Sequence, residues 1–300
     1  MLLGLLGLLQ GAVVAADPEP ALEAADGRTL METVYARHRQ YPYVYEEQSM
    51  VLVDRNGQKD TRRLARYSRI DDDGVNHILL HFRFPREVQG VALLARRYPD
   101  GASDLRVFLP ALGHHLIATG ALDPQVDARS EDHFLGTDFT IENLAGENLD
   151  DYRFERRRDA RMTDLDYYVV DVFPRGASDA ATPVRRHFIL KDGVFITRTD
   201  HFGAGGKVRK RQSSHDLTVV NGDAWRANML LMEDLERFHR TVIKVDRRVF
   251  SPDYVPAEVF SAAWIYANAP APEDDDFLFE ELDPSEYLRE LATGLKGVGP

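Results

Sequence analysis

The chain has 300 residues, 44% of them apolar and 10% aromatic, with 49 acidic side chains against 37 basic ones and no cysteine. Without a thiol there is no disulfide framework, no Cys-ligated zinc or iron–sulfur site and no cysteine nucleophile. The apolar share suffices for a buried core, and a formal charge of −12 lacks the basic footprint of a general nucleic-acid binder.

Residues 1–16 read MLLGLLGLLQGAVVAA, an apolar stretch followed by small residues, with Val14 and Ala16 at the −3 and −1 places of a cleavage site before Asp17. This is the pattern of a signal-peptide core, too short to span a bilayer of roughly 30 Å, which takes about 20 residues. The first basic residue is Arg28, so the usual basic n-region is missing. Either the start lies upstream or the segment is an unusual amphipathic start. A secreted chain without cysteine fits a periplasm, and with no lipobox cysteine the mature protein is expected to be soluble and not lipid-anchored.

A helix is predicted from Gly27 to Arg39, where Leu30 and Val34 fall at helical spacing and Pro42 lies just beyond. From Tyr43 the period becomes two. Strands are predicted at Tyr43–Val53, Thr61–Ile70, His77–Phe84, Val91–Tyr98, Leu105–Leu109, Tyr152–Arg158, Tyr167–Phe173, Val184–Leu190, Val194–Phe202, Lys207–Val220, Ala224–Met232 and Thr241–Phe250. Turn signals such as Asp54-Arg55-Asn56-Gly57 and Lys191-Asp192-Gly193 separate them, and a short helix near Thr140–Leu144 would be capped by Asp138. So many strands joined by short turns make an antiparallel meander that curls or nearly closes. The predicted fold is mainly β: a strongly curved antiparallel sheet, an incomplete barrel, with a few helices across its concave face.

Each chemical motif has a plain structural reading. His77 and His81 are four apart on a strand, about 13 Å at roughly 3.3 Å per residue, so they cannot share a metal ion and are expected to be exposed. His114-His115 points to opposite faces of a strand. The Gly203, Gly205, Gly206 cluster lies between two strands and reads as a hairpin turn. Asp200-His201 has no serine in a strand-to-helix elbow to serve, and no G-x-S-x-G or H-E-x-x-H occurs. Hence no catalytic residue, metal site or cofactor is assigned, and the chain is not read as an enzyme. The basic runs Arg153–Arg161 and Lys207–Arg211 read as solvated strand faces or, alternatively, as docking patches for acidic partners.

Arg106-Val107-Phe108-Leu109-Pro110, followed by Phe134-Leu135-Gly136-Thr137-Asp138-Phe139-Thr140-Ile141-Glu142-Asn143-Leu144, resembles the hallmark of the LolA-like outer-membrane lipoprotein-sorting family. The motif positions are Arg106, Leu109, Pro110, Gly136, Thr137, Asp138, Phe139 and Leu144. Later pieces agree in order: the hairpin from His201-Phe202 to Lys210, then Gly222-x-x-Trp225 with Met229, then Val255-Pro256-x-x-x-Phe260. The resemblance covers residues 27–265. It implies a half-open barrel with helices over its mouth and a periplasmic carrier that shields an acyl chain or other lipid. Partners would be a lipid or acylated lipoprotein, an inner-membrane RND-type transporter and an outer-membrane acceptor. The family's basic linker is here His-rich and less cationic, at Gly113-His114-His115 and Asp127–Asp132.

Large flexible apolar side chains suit a pocket that adapts to a chain-like ligand, and Phe82, Phe84, Phe108, Trp225, Met229 and Met232 are the candidates for lining it. The expected organisation is a signal peptide at 1–16, one β-domain at 17–269 and an acidic extension at 270–300, which is a lid, a docking peptide or a disordered tail. The extension carries nine acidic and two basic side chains, so the remaining body is nearly balanced. Two functions follow as expectations: a periplasmic carrier that passes a lipid or lipoprotein acyl chain between membrane partners, or a non-carrying accessory subunit of an RND-type exporter.

Overall fold

Alternating apolar residues and frequent turn signals produce one sheet of thirteen strands. The computed structural model describes residues 20–112, 116–118, 133–178, 182–220 and 224–270. The signal-like segment, His114-His115, the Asp127–Asp132 linker and residues 271–300 lie outside the described residues. In chain order the strands are β1 (Tyr43–Val53), β2 (Lys59–Ile70), β3 (Asn76–Phe84), β4 (Ala92–Arg97), β5 (Ser103–Phe108), β6 (Leu116–Ala118), β7 (Tyr152–Met162), β8 (Leu165–Pro174), β9 (Arg185–Leu190), β10 (Phe195–Phe202), β11 (Val208–Val220), β12 (Ala224–Asp234) and β13 (His239–Val249). Spatially they run β6-β5-β4-β3-β2-β1-β13-β12-β11-β10-β9-β8-β7, every neighbour antiparallel, with β6 and β7 as the two edges. The sheet is therefore open, and the predicted half-barrel of antiparallel strands is the architecture observed. β6 is the one strand absent from the sequence reading, because three residues carry no readable alternation.

The strands curl. β3 and β9 are seven strands apart, which at about 4.8 Å per step would separate them by some 34 Å if flat. Yet residues of both line one cavity on the inner face. That face is covered in two places. At the β7–β10 end lie α1 (Pro20–Glu23) and α2 (Gly27–His38), the second as predicted to within a residue. Asp26 caps α2 by accepting from the Thr29 N–H at 2.8 Å, and Leu30, Met31 and Val34 pack on Phe154, Tyr168, Val170 and Ile189. Gly27 is required here, since a Cβ would lie 2.9 Å from the β7 backbone at Phe154 and Arg156. At the other end, Phe134 to α3 (Ile141–Ala145) packs on Leu64, Leu80, Phe82 and Leu93.

Beside the expected covers of the concave side, a third cover lies on the outer face. After β13 the chain turns back, and Val255, Val259, Phe260 and α4 (Ala262–Ala267) pack on Tyr45, Tyr67, Leu79, Leu94 and Phe108. The period-two strand β3 carries apolar residues on both faces for this reason. It also corrects the expectation of exposed histidines: His81 is only 6% exposed, with Trp264 edge-on at 5.5 Å, and His77 lies under Phe260 with Nε2 2.9 Å from Asp71. The basic runs are likewise not plain solvated faces. Arg156 donates to the carbonyls of Leu22, Glu23 and Ala25 at the end of α1, and Lys210 is buried. The Gly203–Gly206 stretch is the predicted hairpin turn between β10 and β11.

Neither ring nitrogen of His81 has a partner, and burial, with Arg83 nearby, lowers its pKa to about 4. The folded protein thus holds this ring neutral while the unfolded chain takes up a proton from about pH 6.5 downward. Stability linked to His81 is complete above pH 6.5 and is lost as pH falls towards 4. His81→Phe is expected to remove that loss, a gain of about 2 kcal/mol at pH 5 and little at pH 7.5. Urea unfolding at the two pH values measures it.

Candidate binding cavity

Between the two inner-face covers lies a cavity of about 370 Å³. Its apolar wall includes Ile78 and Leu80 of β3, Leu230 of β12, Ile243 of β13, and Phe139 and Leu144 from the cover that contains α3. Two of the family-motif positions, Phe139 and Leu144, therefore form part of the wall. An open polar cleft of about 780 Å³ adjoins it and shares Glu142, Asn143, Arg185 and His201. The cleft is the larger space, but its lining is mostly polar; the smaller cavity is the one with an apolar wall.

The motif residues hold the α3 cover down. Asp138 is fully buried; its backbone N–H donates to Thr241 Oγ1 at 2.9 Å, and its Oδ2 accepts from the same hydroxyl at 2.8 Å and lies 2.7 Å from His239 Nδ1. Lys210 Nζ donates to its carbonyl at 3.2 Å. Thr137 Oγ1 donates to Phe134 O and Phe139 O, and the buried Arg62 donates to Leu135 O at 2.5 Å. Leu135 and Gly136 both have positive φ, so the backbone turns sharply where these bonds grip it. Asp138 is thus an anchor to β13, while the cap expected of it is supplied by Thr140, which exchanges hydrogen bonds with Asn143 in a capping box. Of the other motif positions, Leu109 is buried, Pro110 opens a short turn, and Arg106 pairs with Asp104 at the surface.

The six apolar candidates are placed elsewhere. Phe82 packs beside Phe134, and Met232 is buried in the same core cluster. Phe108 faces outward under Tyr266, Phe84 is 51% exposed, Trp225 lies against Gly193, and Met229 pairs across to His215 and Lys244. The strand part of the apolar wall is instead Leu80 and Ile78, two and four residues before Phe82, Leu230, two before Met232, and Ile243 of β13, a strand that held no candidate.

The cavity is also charged, which the sequence reading missed. Arg185, 6% exposed, donates to Glu142 at 2.9 Å and lies 3.1 Å from Glu147, whose other oxygen is 3.3 Å from His187 Nε2. Burial works against ionisation of Glu147, but Arg185 and His187 outweigh it and hold its pKa at about 2. A second group lies on the opposite wall. Arg66 of β2, Glu46 of β1 and Arg248 of β13 are direct cross-strand neighbours, and Arg248 Nε donates to Glu46 at 2.6 Å. Arg226, 7% exposed, joins them from β12. Burial opposes ionisation of Glu46, yet Arg66 and Arg248 keep its carboxylate below the usual range. Among the described residues no group of three or more His, Cys, Asp or Glu is placed to hold a metal ion, and no helix is long and apolar enough to cross a membrane.

If Asp138 is the anchor of the α3 cover, Asp138→Ala should cost about 3 kcal/mol, the range for breaking a buried charged network. Urea unfolding measures the loss, and amide exchange should rise chiefly over residues 134–145.

No protein of curated function matches the sequence. Three solved structures share the fold over most of their length. A putative outer membrane lipoprotein-sorting protein domain from Vibrio parahaemolyticus has a TM-score of 0.69 at 19% identity, covering 80% of this chain and 98% of its own. A DUF1329 family protein from Desulfovibrio piger has 0.65 at 19%, covering 82% and 100%. A LolA superfamily protein from Nitrosomonas europaea has 0.60 at 15%, covering 80% and 100%. A family model whose members are described as "uncharacterized protein" matches residues 74–266. The chain belongs to that family, and its fold is that of the LolA-like lipoprotein-sorting proteins.

Proposed function

We propose that the protein is a periplasmic carrier that shelters the hydrocarbon of a lipid or acylated protein in the inner-face cavity and passes it between membrane partners. The observation that carries this reading is the cavity itself. Two covers leave about 370 Å³ between them instead of meeting, and aliphatic side chains from strands on both sides of the sheet face into it. That volume lies within the ordinary range for ligand pockets. Each methylene buried there contributes roughly 0.8 kcal/mol, so part of one acyl chain supplies useful affinity without further contacts. The likeness of fold to a lipoprotein-sorting domain supports the reading, as does the signal-like segment at residues 1–16. An inner-membrane RND-type transporter and an outer-membrane acceptor are the partners in this proposal.

The protein purified without detergent is expected to yield lipid in an organic extract analysed by mass spectrometry. Once delipidated it should take up a fluorescent fatty acid. Leu230→Glu, which puts a carboxylate on the apolar wall at a position only partly buried, should weaken uptake at least tenfold. Leu165→Glu at an exposed position of β8 should leave it unchanged. No lipid in the extract and no uptake would favour the non-carrying exporter subunit.

A further inference from the structure

The cavity wall carries six arginines, Arg39, Arg66, Arg97, Arg185, Arg226 and Arg248, against three glutamates, Glu46, Glu142 and Glu147. A space that only had to shelter alkane would not need them, because each buried charge costs several kcal/mol of lost hydration unless it is paired. Most of these cations are accounted for. Arg185 is flanked by Glu142 and Glu147, and Arg97 donates to Ser103 and to the Gly146 carbonyl. Arg248 is held by Glu46, by Asn228 Oδ1 at 2.9 Å and by Ala227 O at 2.8 Å. Arg226 donates only to neutral carbonyls, those of Trp225 and of His38 at the end of α2. Arg66 makes no side-chain hydrogen bond or ion pair among the described residues, although it sits directly across from Glu46. Both Glu46 oxygens are already engaged, one by Arg248 and the other by Gln48 at 2.6 Å.

Three guanidinium groups thus surround one fully engaged carboxylate, and a surplus of two positive charges faces the cavity beside the apolar wall. We infer that this cluster is an anion site, and that the cargo is an amphiphile whose acidic group lodges against Arg66, with Arg226 and Arg248 behind it, while its hydrocarbon lies along Ile78, Leu230 and Ile243. The ligand class is an alkyl chain with a single carboxylate, phosphate or sulfonate head, since guanidinium binds such oxyanions through paired N–H donors. This deepens the carrier reading and rests on it.

The test uses three probes of equal chain length on the delipidated protein, followed by calorimetry: dodecanoate, 1-dodecanol and dodecylammonium. The expected order places dodecanoate at least tenfold tighter than dodecanol, with dodecylammonium weakest. Arg66→Gln should abolish most of the preference for the acid while leaving dodecanol affinity within twofold. The variant should fold, because the wild-type side chain holds no hydrogen bond and Glu46 keeps its bonds to Arg248 and Gln48. Arg226→Gln, which removes bonds to α2, serves as the comparison that also loses thermal stability. Equal affinity of acid and alcohol, or a preference for the ammonium, would overturn the anion site and leave the carrier reading standing. Failure of all three probes to bind would remove both. Extraction of phosphatidylglycerol or of free fatty acid from mixed vesicles then separates the two natural sources of such a head, and loss of either by Arg66→Gln would place that head at this cluster.

Discussion

An open sheet has an inner face that no second sheet covers, and everything else in this structure follows from how that face is dealt with. Thirteen strands curled into part of a barrel bring β3 and β9 around a common space too wide for strand side chains alone to fill. Two separate chain segments, α2 and the stretch from Phe134 through α3, cover it from opposite ends. Neither cover is long enough to be stable alone, since isolated helices shorter than about 12–15 residues are marginal in water. Each is therefore held by specific buried groups: Gly27 letting α2 approach the β7 backbone, and Asp138 tying the α3 cover to Thr241 and His239 of β13. The cavity is what remains between two covers whose positions are fixed independently.

The two charged walls differ in character. On the α3 side Arg185 is matched by two carboxylates and two cover residues, Glu142 and Glu147, reach it directly, so this network doubles as a fastening between cover and sheet. On the β1–β2 side the charges belong to strands alone and positive charge is in excess. A fastening neutralises itself; a recognition surface does not. The same distinction separates Asp138, whose surroundings complement it, from Arg66, which lines the cavity and makes no hydrogen bond among the described residues.

Much of this was readable from the residues. Period-two alternation located twelve of the thirteen strands, and the Leu30, Val34 spacing located α2. The short helix expected near Thr140–Leu144 is α3, part of the inner-face cover. The cavity wall was not readable, for a physical reason. Alternation tells which residues share a face of a strand but not what the face meets, so it shows neither that Val255–Ala267 covers the outer face nor that His81 is buried beneath it. Large side chains such as Phe82 and Met232 pack into the buried core, whereas the apolar strand positions that line the cavity are aliphatic, Ile78, Leu80, Leu230 and Ile243. Nothing in the sequence marked Arg66, Arg226 and Arg248 as cavity residues, because charge on an alternating strand normally marks the wet side.

Charge inside the cavity therefore separates residues that hold the fold from those that do not. Arg226 has a structural occupation: its guanidinium donates to the His38 carbonyl at the negative end of α2, where a cation is favoured in any case. Arg248 has another, joining β13 to β1 through Glu46 and to β12 through Asn228. Arg66 has no such bond: its charge helps to keep Glu46 ionised, and it stands beside two like charges. A cation on the cavity wall that makes no hydrogen bond among the described residues is most simply explained by an anion that it meets in the cavity. The apolar wall accounts for a chain-like cargo; Arg66 is the residue that gives that cargo an end.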